Sequence, residues 1–375
     1  MSTTAKNTAT SPWPSSRAAA WYVIGDPADN RVGFFRDACA GAGIEPRVID
    51  YRELLVNPAR LDDIPEGSIV RIESPGRAPD LHAAFRAHGG AARSELRRGE
   101  IALPTAWFNG FRDVLGLLRQ RMDGRVRWTS HPDDVVCMFD KAACHERLER
   151  FGVPVPRALG RVESYERLID RMAALGISRV FLKLRYGSSA SGIVAYRKSG
   201  EREQAVTTVE AASDGLFNTR RIRRLRARAE IAGLIDRLCR CDVHVEEWVP
   251  KAGMHGRTFD LRVVVIGGRM RHTLMRLSRG PMTNLHLLNE RRDTDALREQ
   301  MGETWQALAE TAGKVAGCFP CTLHFGLDVA VAPGLRSHRV LEVNAFGDLL
   351  KGALHEGRNT YESQLQAVGE GWFDA

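Results

Sequence analysis

Acidic side chains inside two apolar segments near the end of the chain limit its possible folds most strongly. The segments Gly326-Leu-Asp328 and Leu341-Glu-Val-Asn344 both continue into the apolar, β-branched residues typical of strands. Side chains two residues apart in a strand point to the same face, so Glu342 and Asn344 share one face. A carboxylate among apolar neighbours is costly unless it is paired or bound to a metal. We therefore predict adjacent strands on which Asp328, Glu342 and Asn344 form an oxygen cage for a hard cation.

A lysine on another predicted strand precedes a loop of small residues. Lys183 lies in the apolar run 180–184, the loop spans Tyr186 to Gly192, and a returning strand covers 193–196. The ammonium of Lys183 is expected to project into a cleft, while the apolar residues on either side of Lys183 pack behind it. Small residues let backbone amides approach phosphate closely, which makes four loop residues candidate contacts: Gly187, Ser188, Ser189 and Gly192. A further candidate, Lys141, lies at the start of a predicted helix from Asp140 to Phe151, although a single lysine is more often a surface charge.

The segment from His244 to Val249 has two possible interpretations. It is either an ordinary edge strand or a segment whose backbone binds an adenine edge above an apolar floor, through the residues Glu246, Glu247, Trp248 and Val249. On the next predicted strand, Asp260 and Arg262 alternate with apolar residues and therefore share a face. A strand from Arg269 to Met275 follows the tight turn Gly267-Gly268. Two later polar residues, Arg276 and Asn284, are candidate contacts for a transferring phosphate or acyl group.

The N-terminal part of the chain has the pattern of a separate α/β unit. Strands are predicted at 21–24, around 48–49 and at 69–72, with helices ending near 42, at 81–88 and at 111–122. The unit has no G-x-G-x-x-G sequence, so dinucleotide binding has no support there. We predict a disordered segment 1–19, an α/β domain 20–128, a lobe with the glycine loop 129–250 and a lobe with the metal site 251–375.

Charge and cysteine content indicate the setting and the partners. A net charge of +8 favours an anionic partner. The first 19 residues lack the apolar core of a signal peptide, and no uncharged apolar run is long enough to span a membrane. The seven cysteines are an odd number, and we expect buried structural thiols in a reducing cytoplasm.

Six arginines occupy nine consecutive positions from Arg220 to Arg228. Because Ile222 and Leu225 are three residues apart, we interpret this segment as a helix with a solvated basic face. An alternative is that Arg223 and Arg224 recognise an acidic acceptor near the cleft. Farther along, apolar residues from Leu297 to Val315 predict one long amphipathic helix.

The order of these motifs, roughly from Asp134 to Leu349, resembles the ATP-grasp superfamily and especially its carboxylate–amine ligases. The helix at Asp140-Lys141 followed by Gly152-Val-Pro-Val-Pro156 resembles the family's opening helix, whose lysine contacts phosphate. Lys183 and the glycine loop resemble its second lysine and its phosphate-covering hairpin. The segment Glu246 to Val249 resembles the adenine-binding hinge, and Asp260-Leu-Arg262 resembles a ribose and phosphate segment of glutamate-adding ligases.

The resemblance implies an α/β ATP-grasp fold, built from α+β lobes with an N-terminal pre-ATP-grasp domain. It implies that ATP binds with one or two Mg²⁺ ions, or Mn²⁺, held by Asp328, Glu342 and Asn344. ATP would then phosphorylate a small-molecule or peptide carboxylate, and an amine would displace the phosphate and leave ADP. The residues implied near the acyl-phosphate and phosphate are Arg262, Arg276 and Asn284. Two segments depart from the family pattern, namely the long basic stretch between Lys198 and Cys241 and the ending Ala345-Phe-Gly-Asp348.

Two other functions fit parts of the sequence. An ATP-grasp kinase would transfer the phosphoryl group to the hydroxyl of a small anionic substrate and release no inorganic phosphate. A nucleic-acid-binding protein with a regulatory nucleotide site would use the arginine cluster, but no aromatic stacking platform accompanies that cluster. The ordered strand-borne metal and phosphate residues favour an ATP-dependent enzyme over the nucleic-acid-binding protein. A ligase and a kinase would have similar metal sites, so their products distinguish them.

Overall fold

The computed structural model of the protein describes residues 19–92, 96–187, 191–283, 290–347, 350 and 352–374. Three β-sheets organise these residues, one parallel and two antiparallel or nearly so. Three predicted site residues, Ser188, Ser189 and Asn284, lie outside the described residues, as does Asp348.

The N-terminal unit is a parallel sheet of four strands in the order β2-β1-β3-β4. Its short apolar runs are fully buried because helices cover them. Asp29 and Asp50 accept hydrogen bonds from the first turns of the helices α1 and α2 and so fix where these begin. The elements in chain order are β1 (Trp21–Gly25), α1 (Asn30–Gly41), β2 (Arg47–Asp50), α2 (Tyr51–Val56), a 3-10 helix (Pro58–Leu61), β3 (Ile69–Ile72), α3 (Pro79–His88), α4 (Pro104–Met122) and β4 (Arg127–Trp128).

A helical connection leads to an antiparallel sheet of five strands in the order β8-β7-β6-β5-β9. Asp140 caps the second connecting helix by accepting hydrogen bonds from two backbone amides, which places Lys141 at its first position. The elements are α5 (Pro132–Phe139), α6 (Lys141–Arg150), α7 (Tyr165–Ala174), β5 (Arg179–Leu184), β6 (Val194–Ser199), β7 (Arg202–Ala212), β8 (Gly215–Leu225), α8 (Arg228–Cys239) and β9 (Val243–Glu247).

The helix predicted for the arginine cluster is wrong for most of its length. Residues 220–225 belong to the edge strand β8, and the following helix begins only at Arg228. Pairing with β7 determines the structure here, because eleven residues of each strand form a long hairpin. In a strand, Ile222 and Leu225 lie on opposite faces. Leu225 is buried, whereas Ile222 is 37% exposed.

The C-terminal part forms a sheet in the order β13-β12-β11-β14-β15, to which β10 adds a short pairing with β11. Gly267 and Gly268 join β11 to β12 with φ of 58° and 75°, a left-handed conformation that glycine adopts without strain. The elements are β10 (Gly253–Met254), β11 (Arg257–Ile266), β12 (Arg269–Ser278), β13 (Glu290–Arg292), α9 (Asp295–Met301), α10 (Glu303–Cys318), β14 (His324–Val331), β15 (His338–Asn344), α11 (Thr360–Gly369) and a 3-10 helix (Trp372–Asp374).

The single amphipathic helix predicted from Leu297 to Val315 is wrong. The segment contains two helices, α9 and α10, separated by Gly302 with φ of 50°. The apolar spacing continues through the break because both helices bury their apolar residues, including Leu297, Met301, Leu308 and Val315. Periodicity alone therefore does not reveal the interruption, whereas the glycine between the two helices does.

The three sheets fall inside the three predicted domain segments, but packing crosses those limits. The helix α11, near the C-terminus, packs against α1 of the N-terminal unit. The exact domain division stays a prediction. Four of the cysteines are buried free thiols, Cys239 and Cys241 are partly buried, and Cys321 is exposed, contrary to the expectation of uniformly buried thiols. Among the described residues, no helix is long and apolar enough to cross a membrane.

Candidate functional site

A cavity of about 540 Å³ lies between the five-stranded sheet and the C-terminal sheet, and we call it the nucleotide cleft after the ligand that the sequence predicts there. It lies where carboxylates and cations from both sheets face each other. Twelve of the predicted site residues line it: Lys141, Lys183, Gly187, Glu246, Glu247, Val249, Asp260, Arg262, Arg276, Asp328, Glu342 and Asn344.

Two predicted residues lie outside the cleft lining. Gly192 has φ of 67°, and a Cβ atom there would lie 2.3 Å from Cγ of Leu184, so this glycine permits a close approach within the hairpin. Trp248 packs against Phe181, with ring centroids 5.3 Å apart, and lines a neighbouring cavity instead. Both residues therefore support the walls of the site in this structure.

Lys183 enters the cleft from β5, where alternation separates it from the buried Leu182 and Leu184. Its Nζ atom lies 2.5 Å from Oε1 of Glu246 and donates a hydrogen bond to the backbone oxygen of Leu341 at 3.3 Å. Burial disfavours the Glu246 carboxylate, but the Lys183 ammonium and His244 together outweigh burial and lower the pKa of Glu246 to about 2. This ion pair holds the ammonium charged inside the cleft.

Lys141 links the start of α6 to both sheets. Its Nζ atom donates to the backbone oxygen of Gly187 at 2.6 Å and lies 2.9 Å from Oε1 of Glu342. Burial disfavours the Glu342 carboxylate, yet the ammonium groups of Lys141 and Lys183 outweigh burial and lower its pKa. Lys141 thus contacts one carboxylate of the predicted metal site directly, and Lys183 acts on the same carboxylate electrostatically.

Four alternating charges cross the C-terminal sheet next to these lysines. The strand register places Asp260 opposite Arg276 and Arg262 opposite Asp328. Arg276 forms a two-pronged contact with Asp260, at 2.8 and 3.0 Å, and its Nη2 atom also lies 3.1 Å from Oδ2 of Asp328. Nε of Arg262 lies 3.0 Å from Oδ1 of Asp328. The predicted charged face therefore exists, and its charges compensate one another.

The three predicted metal ligands lie on paired strands, and their chemistry fits a hard cation. Asp328 is opposite Glu342, and Gly326 is opposite Asn344, in the register of β14 and β15. The buried Nδ2 atom of Asn344 has no hydrogen-bond partner among the described residues, so no donated bond fixes the orientation of its amide. Two carboxylates and one amide supply the oxygen donors that Mg²⁺ prefers. The residues therefore fit the predicted ion.

The absence of a side chain at Gly326 leaves space for a neighbouring arginine. A Cβ atom at this position would lie 3.0 Å from Nη1 of Arg262 and 3.3 Å from Cα of Gly347. The first glycine of the predicted Gly326-Leu-Asp328 motif thus leaves room for the guanidinium of Arg262 beside the predicted metal ligands.

Sequence reasoning missed Lys251, which is a buried lysine of the cleft. Its Nζ atom lies 3.1 Å from Oδ2 of Asp260 and 2.7 Å from Oγ1 of Thr283, which also donates to Asp260. Burial lowers the pKa of Lys251 even though Asp260 opposes this shift, because Arg276 already compensates that carboxylate and repels a second cation. The only sequence signal is its position two residues after the hinge segment, nine residues before Asp260.

The N-terminal unit also contributes to the cleft, which sequence reasoning did not predict. The loop from Ser74 to Arg77 lines one end together with Arg31, His82 and Trp107. Nε1 of Trp107 donates to Nδ1 of His82 at 2.8 Å, and Nε2 of His82 lies 3.3 Å from the backbone oxygen of Gly76. Burial lowers the pKa of His82. The neutral imidazole therefore links helix α4 to this loop.

One further cluster of potential metal ligands lies at the back of the cleft. Side-chain atoms of His145, His244 and Glu246 lie within 4.8 Å of one another. The ammonium of Lys183, already at 2.5 Å from Glu246, would repel a cation bound there. We therefore assign these histidines to the support of Glu246 and not to metal binding.

Comparison with known proteins finds similarity only at the level of structure. No protein-family model and no curated protein sequence matches the chain. D-cycloserine synthetase DcsG is similar with a TM-score of 0.57 and 16% identity, over 94% of this chain and 100% of that one. The ATP-grasp ligase PsnB, in complex with a minimal precursor, Mg and ADP, gives a TM-score of 0.52 and 17% identity, over 94% and 97% of the two chains.

D-alanine–D-alanine ligase from Bacillus anthracis is also similar, with a TM-score of 0.52 and 12% identity over 95% of this chain and 98% of that one. These matches extend over nearly the whole length of each chain, so they include the N-terminal unit as well as both lobes around the cleft. At such low identity they establish the architecture and leave the chemistry to the residues of the site. The chain has the ATP-grasp fold, as the order of its sequence motifs predicts.

Proposed function

We propose that this protein is an ATP-dependent ligase that activates a carboxylate as an acyl-phosphate and joins it to an amine, with release of ADP and phosphate. The observation that supports this most directly is that Lys141 of helix α6 and Lys183 of the five-stranded sheet face two carboxylates and an amide of the C-terminal sheet. Lys141 bridges the sheets through Glu342, and Lys183 does so through the backbone of Leu341. Phosphoryl transfer needs this combination, because a polyphosphate must be held by cations together with a metal on oxygen ligands.

The proposed division of roles follows from the contacts. The hinge residues Glu246, Glu247 and Val249 line the cleft where a nucleotide base would lie. Lys141 and Lys183 would neutralise phosphate oxygens, and the glycine loop at Gly187 would offer backbone amides. Asp328, Glu342 and Asn344 would hold Mg²⁺, which supplies charge neutralisation on the transferred phosphoryl group.

Arg276 and Arg262 are proposed to act at the developing acyl-phosphate. Both guanidinium groups contact Asp328, so they lie beside the proposed metal ligands on the same sheet face. Arginine presents a planar set of donors that suits phosphate and carboxylate oxygens alike. Their pairing with carboxylates fixes their orientation before a substrate arrives, which reduces the reorganisation needed during reaction. Asn284 stays a predicted phosphate contact.

The substrates are a carboxylate and an amine, on small molecules or on a peptide. The solved structure of PsnB contains a precursor, and the DcsG structure is that of a D-cycloserine synthetase, so structures of this fold serve both kinds of substrate. The arginines of the N-terminal unit, Arg31 and Arg77, line the cleft and suit an anionic substrate. A cytoplasmic location stays a prediction.

The experiment that tests the proposal measures ADP and inorganic phosphate together, from Mg-ATP and a panel of amino acids and acidic peptides. We expect equal, substrate-dependent release of both products. Glu342→Gln should abolish this release, whereas Glu163→Gln, which changes an exposed carboxylate, should retain it. Formation of ADP without phosphate would instead establish a kinase, and Mg-independent or substrate-independent turnover would contradict the ligase.

A further inference from the structure

A second cavity, of about 270 Å³, lies beside the nucleotide cleft, and we call it the side cavity. Lys251 and Pro281 line both spaces, so the two cavities are neighbours. The walls of the side cavity come from β6, β7 and β8 of one sheet and from β11 and the segment after β12 of the other. Its volume is close to the lower end of ligand pockets, about 300 Å³.

The side cavity has an uncompensated positive charge. Its lining contains the four cationic residues Arg197, Arg224, Lys251 and Arg279, and no acidic residue. Lys251 alone among them has a carboxylate partner, Asp260. Within the described part of the chain, Arg197, Arg224 and Arg279 make no ion pair of 4.0 Å or less. Three solvent-exposed guanidinium groups thus line one small space, where a ligand can reach them and no carboxylate of the described residues neutralises them.

The strand register brings two of these arginines to one face. Arg197 on β6 lies opposite Gln204 on β7, and Arg224 on β8 lies opposite Val206. Gln204 and Val206 are two residues apart on one strand, so both cross-strand pairs face the same side. Arg279 comes from the segment that follows β12, so it approaches from the other sheet. Three separate elements therefore direct cations to one place.

Protection of an exposed sheet edge is the simpler explanation for arginines on β8. Charged side chains commonly prevent an edge strand from pairing with another chain. That explanation suits Arg220, Arg221 and Arg226, which are exposed like the cavity arginines but do not line the cavity. It does not explain Arg197 on the interior strand β6, or Arg279 on a different sheet. A bound anion explains the convergence of all three.

We infer that the side cavity binds an anionic group, a carboxylate or a phosphate, of a ligand that lies beside the nucleotide cleft. Guanidinium groups form two-pronged hydrogen bonds with both kinds of anion. The indole of Trp248, which is partly buried, supplies an apolar wall for the rest of the ligand. The anion is part of an acidic peptide or small-molecule substrate, or else it is free phosphate. This inference does not depend on the ATP chemistry proposed above.

The strand geometry supplies a matched control. Arg223 and Arg224 are neighbours on β8 and point to opposite faces. Nη2 of Arg223 lies 3.1 Å from Oε1 of Glu230 on α8, whereas Arg224 lines the side cavity. Replacing either residue with alanine removes the same charge from the same strand. Only the loss of Arg224 should affect an anion in the cavity.

The test uses a rhodamine-labelled tetraglutamate peptide and fluorescence anisotropy, with excess ADP and Mg²⁺ present to fill the nucleotide cleft. We expect the triple variant R197A/R224A/R279A to weaken peptide binding by about thirtyfold, because each lost charged contact costs a few-fold in affinity. The triple variant R220A/R221A/R226A, with the same loss of charge, should change binding less than about threefold. Arg224→Ala should weaken binding by about fivefold and Arg223→Ala by less than about twofold.

Calorimetric titration with inorganic phosphate separates the two sources of the anion. If peptide binding depends on the cavity arginines, the inference holds and the anion is a carboxylate. If phosphate binding depends on these arginines and the peptide does not bind, the inference holds and the anion is free phosphate. The inference would be overturned if both triple variants lost the same amount of affinity for the peptide. It would also be overturned if neither the peptide nor phosphate bound in a way that depends on the cavity arginines. Thermal unfolding of each variant checks folding, and the two single variants replace the triple ones if these do not fold. ADP release is measured separately, so failure of the ligase proposal remains distinguishable.

Discussion

The structure contains two buried charge clusters that look alike by composition and differ in what surrounds them. The cleft cluster consists of Lys141, Lys183, Glu246, Asp260, Arg262, Arg276, Asp328 and Glu342. The Arg71 cluster consists of Arg71, Glu73, His324 and Gln364, and joins β3 to β14 and α11. Strand β14 contributes to both, with His324 to one and Asp328 to the other.

The Arg71 cluster is closed. Arg71 and Glu73 are 1% and 0% exposed. The guanidinium donates to Glu73 at 2.8 Å and to Gln364 at 2.5 Å and stacks 4.4 Å from the centroid of the Phe35 ring. The cleft cluster, in contrast, borders a cavity of about 540 Å³ and includes Asn344 with an unpaired Nδ2 atom beside it. Burial of charge alone therefore does not identify a site, and neither does an unpaired polar atom, because Nδ1 of the buried His324 also has no hydrogen-bond partner among the described residues. The adjoining open volume makes the difference.

The largest effect should follow from a change in the cleft cluster. Asp328→Asn should lower the rate of substrate-dependent ADP release by about a thousandfold, equivalent to about 4 kcal/mol, because one proposed metal ligand and the partner of two arginines is lost. The free energy of unfolding, measured in urea, should fall by less than about 2 kcal/mol, because Arg276 retains Asp260. Asp170→Asn, at an exposed position, is the control. Retention of a tenth of the activity would remove Asp328 from the proposed metal site.

The Arg71 cluster should give the opposite pattern. Arg71→Met leaves the Glu73 carboxylate buried without its partner, so the free energy of unfolding should fall by about 3 to 4 kcal/mol. The KM for ATP of the folded variant should remain within about twofold, because Arg71 does not line the cleft. The double variant R71M/E73Q should recover part of the stability. A variant with normal stability and a strongly raised KM would erase the distinction between the two clusters.

Two similar lysine–glutamate pairs allow a finer comparison. Lys183 pairs with Glu246 and faces the cleft, whereas Lys198 pairs with Glu203 at 3.2 Å and does not line it. Lys183→Met should raise the KM for ATP by about thirtyfold, or about 2 kcal/mol, through loss of a charged phosphate contact. Lys198→Met should leave that KM unchanged within about twofold. Steady-state kinetics over a range of ATP concentrations measure both, and equal effects would show that the lysines act only through sheet stability.

The sequence reveals the cleft cluster better than the Arg71 cluster, for a physical reason. Lys183, Asp328 and Glu342 interrupt apolar strands, and strand alternation predicts the face to which they point. The contacts of Arg71 with Gln364 join residues 293 positions apart, so no local pattern indicates them. Lys251 was missed because it lies in a segment without regular secondary structure, where neither alternation nor helical periodicity applies. The arginine cluster was misassigned because three-residue apolar spacing fits a helix and says nothing about the partner strand β7.

The smallest expected effect concerns the contact of α11 near the Arg71 cluster. Burial, together with the nearby His355, lowers the pKa of His272 to about 4, and its Nε2 atom lies 3.1 Å from Oγ of Ser363 on α11. Because this pKa lies below the value of about 6.5 in the unfolded chain, the unfolded state binds more protons between these values. The contribution of neutral His272 to the free energy of unfolding is therefore complete above about pH 6.5 and is lost as the pH falls towards 4.

Replacement of this histidine should therefore flatten the pH dependence of stability. The linkage relation gives about 2 kcal/mol of stability gained by His272 between pH 5 and pH 7, and the His272→Gln variant should lack this part of the rise. Urea denaturation at both pH values measures the difference, and His255→Gln, at an exposed turn, serves as the control. The pKa values of Glu246, Asp260 and Glu342 in the cleft cluster are lowered, that of Glu246 to about 2, so these three carboxylates change the stability little above pH 5. An unchanged slope in His272→Gln would mean that the contact of α11 opens to water below pH 7, and the two clusters would then differ less in closure than their contacts indicate.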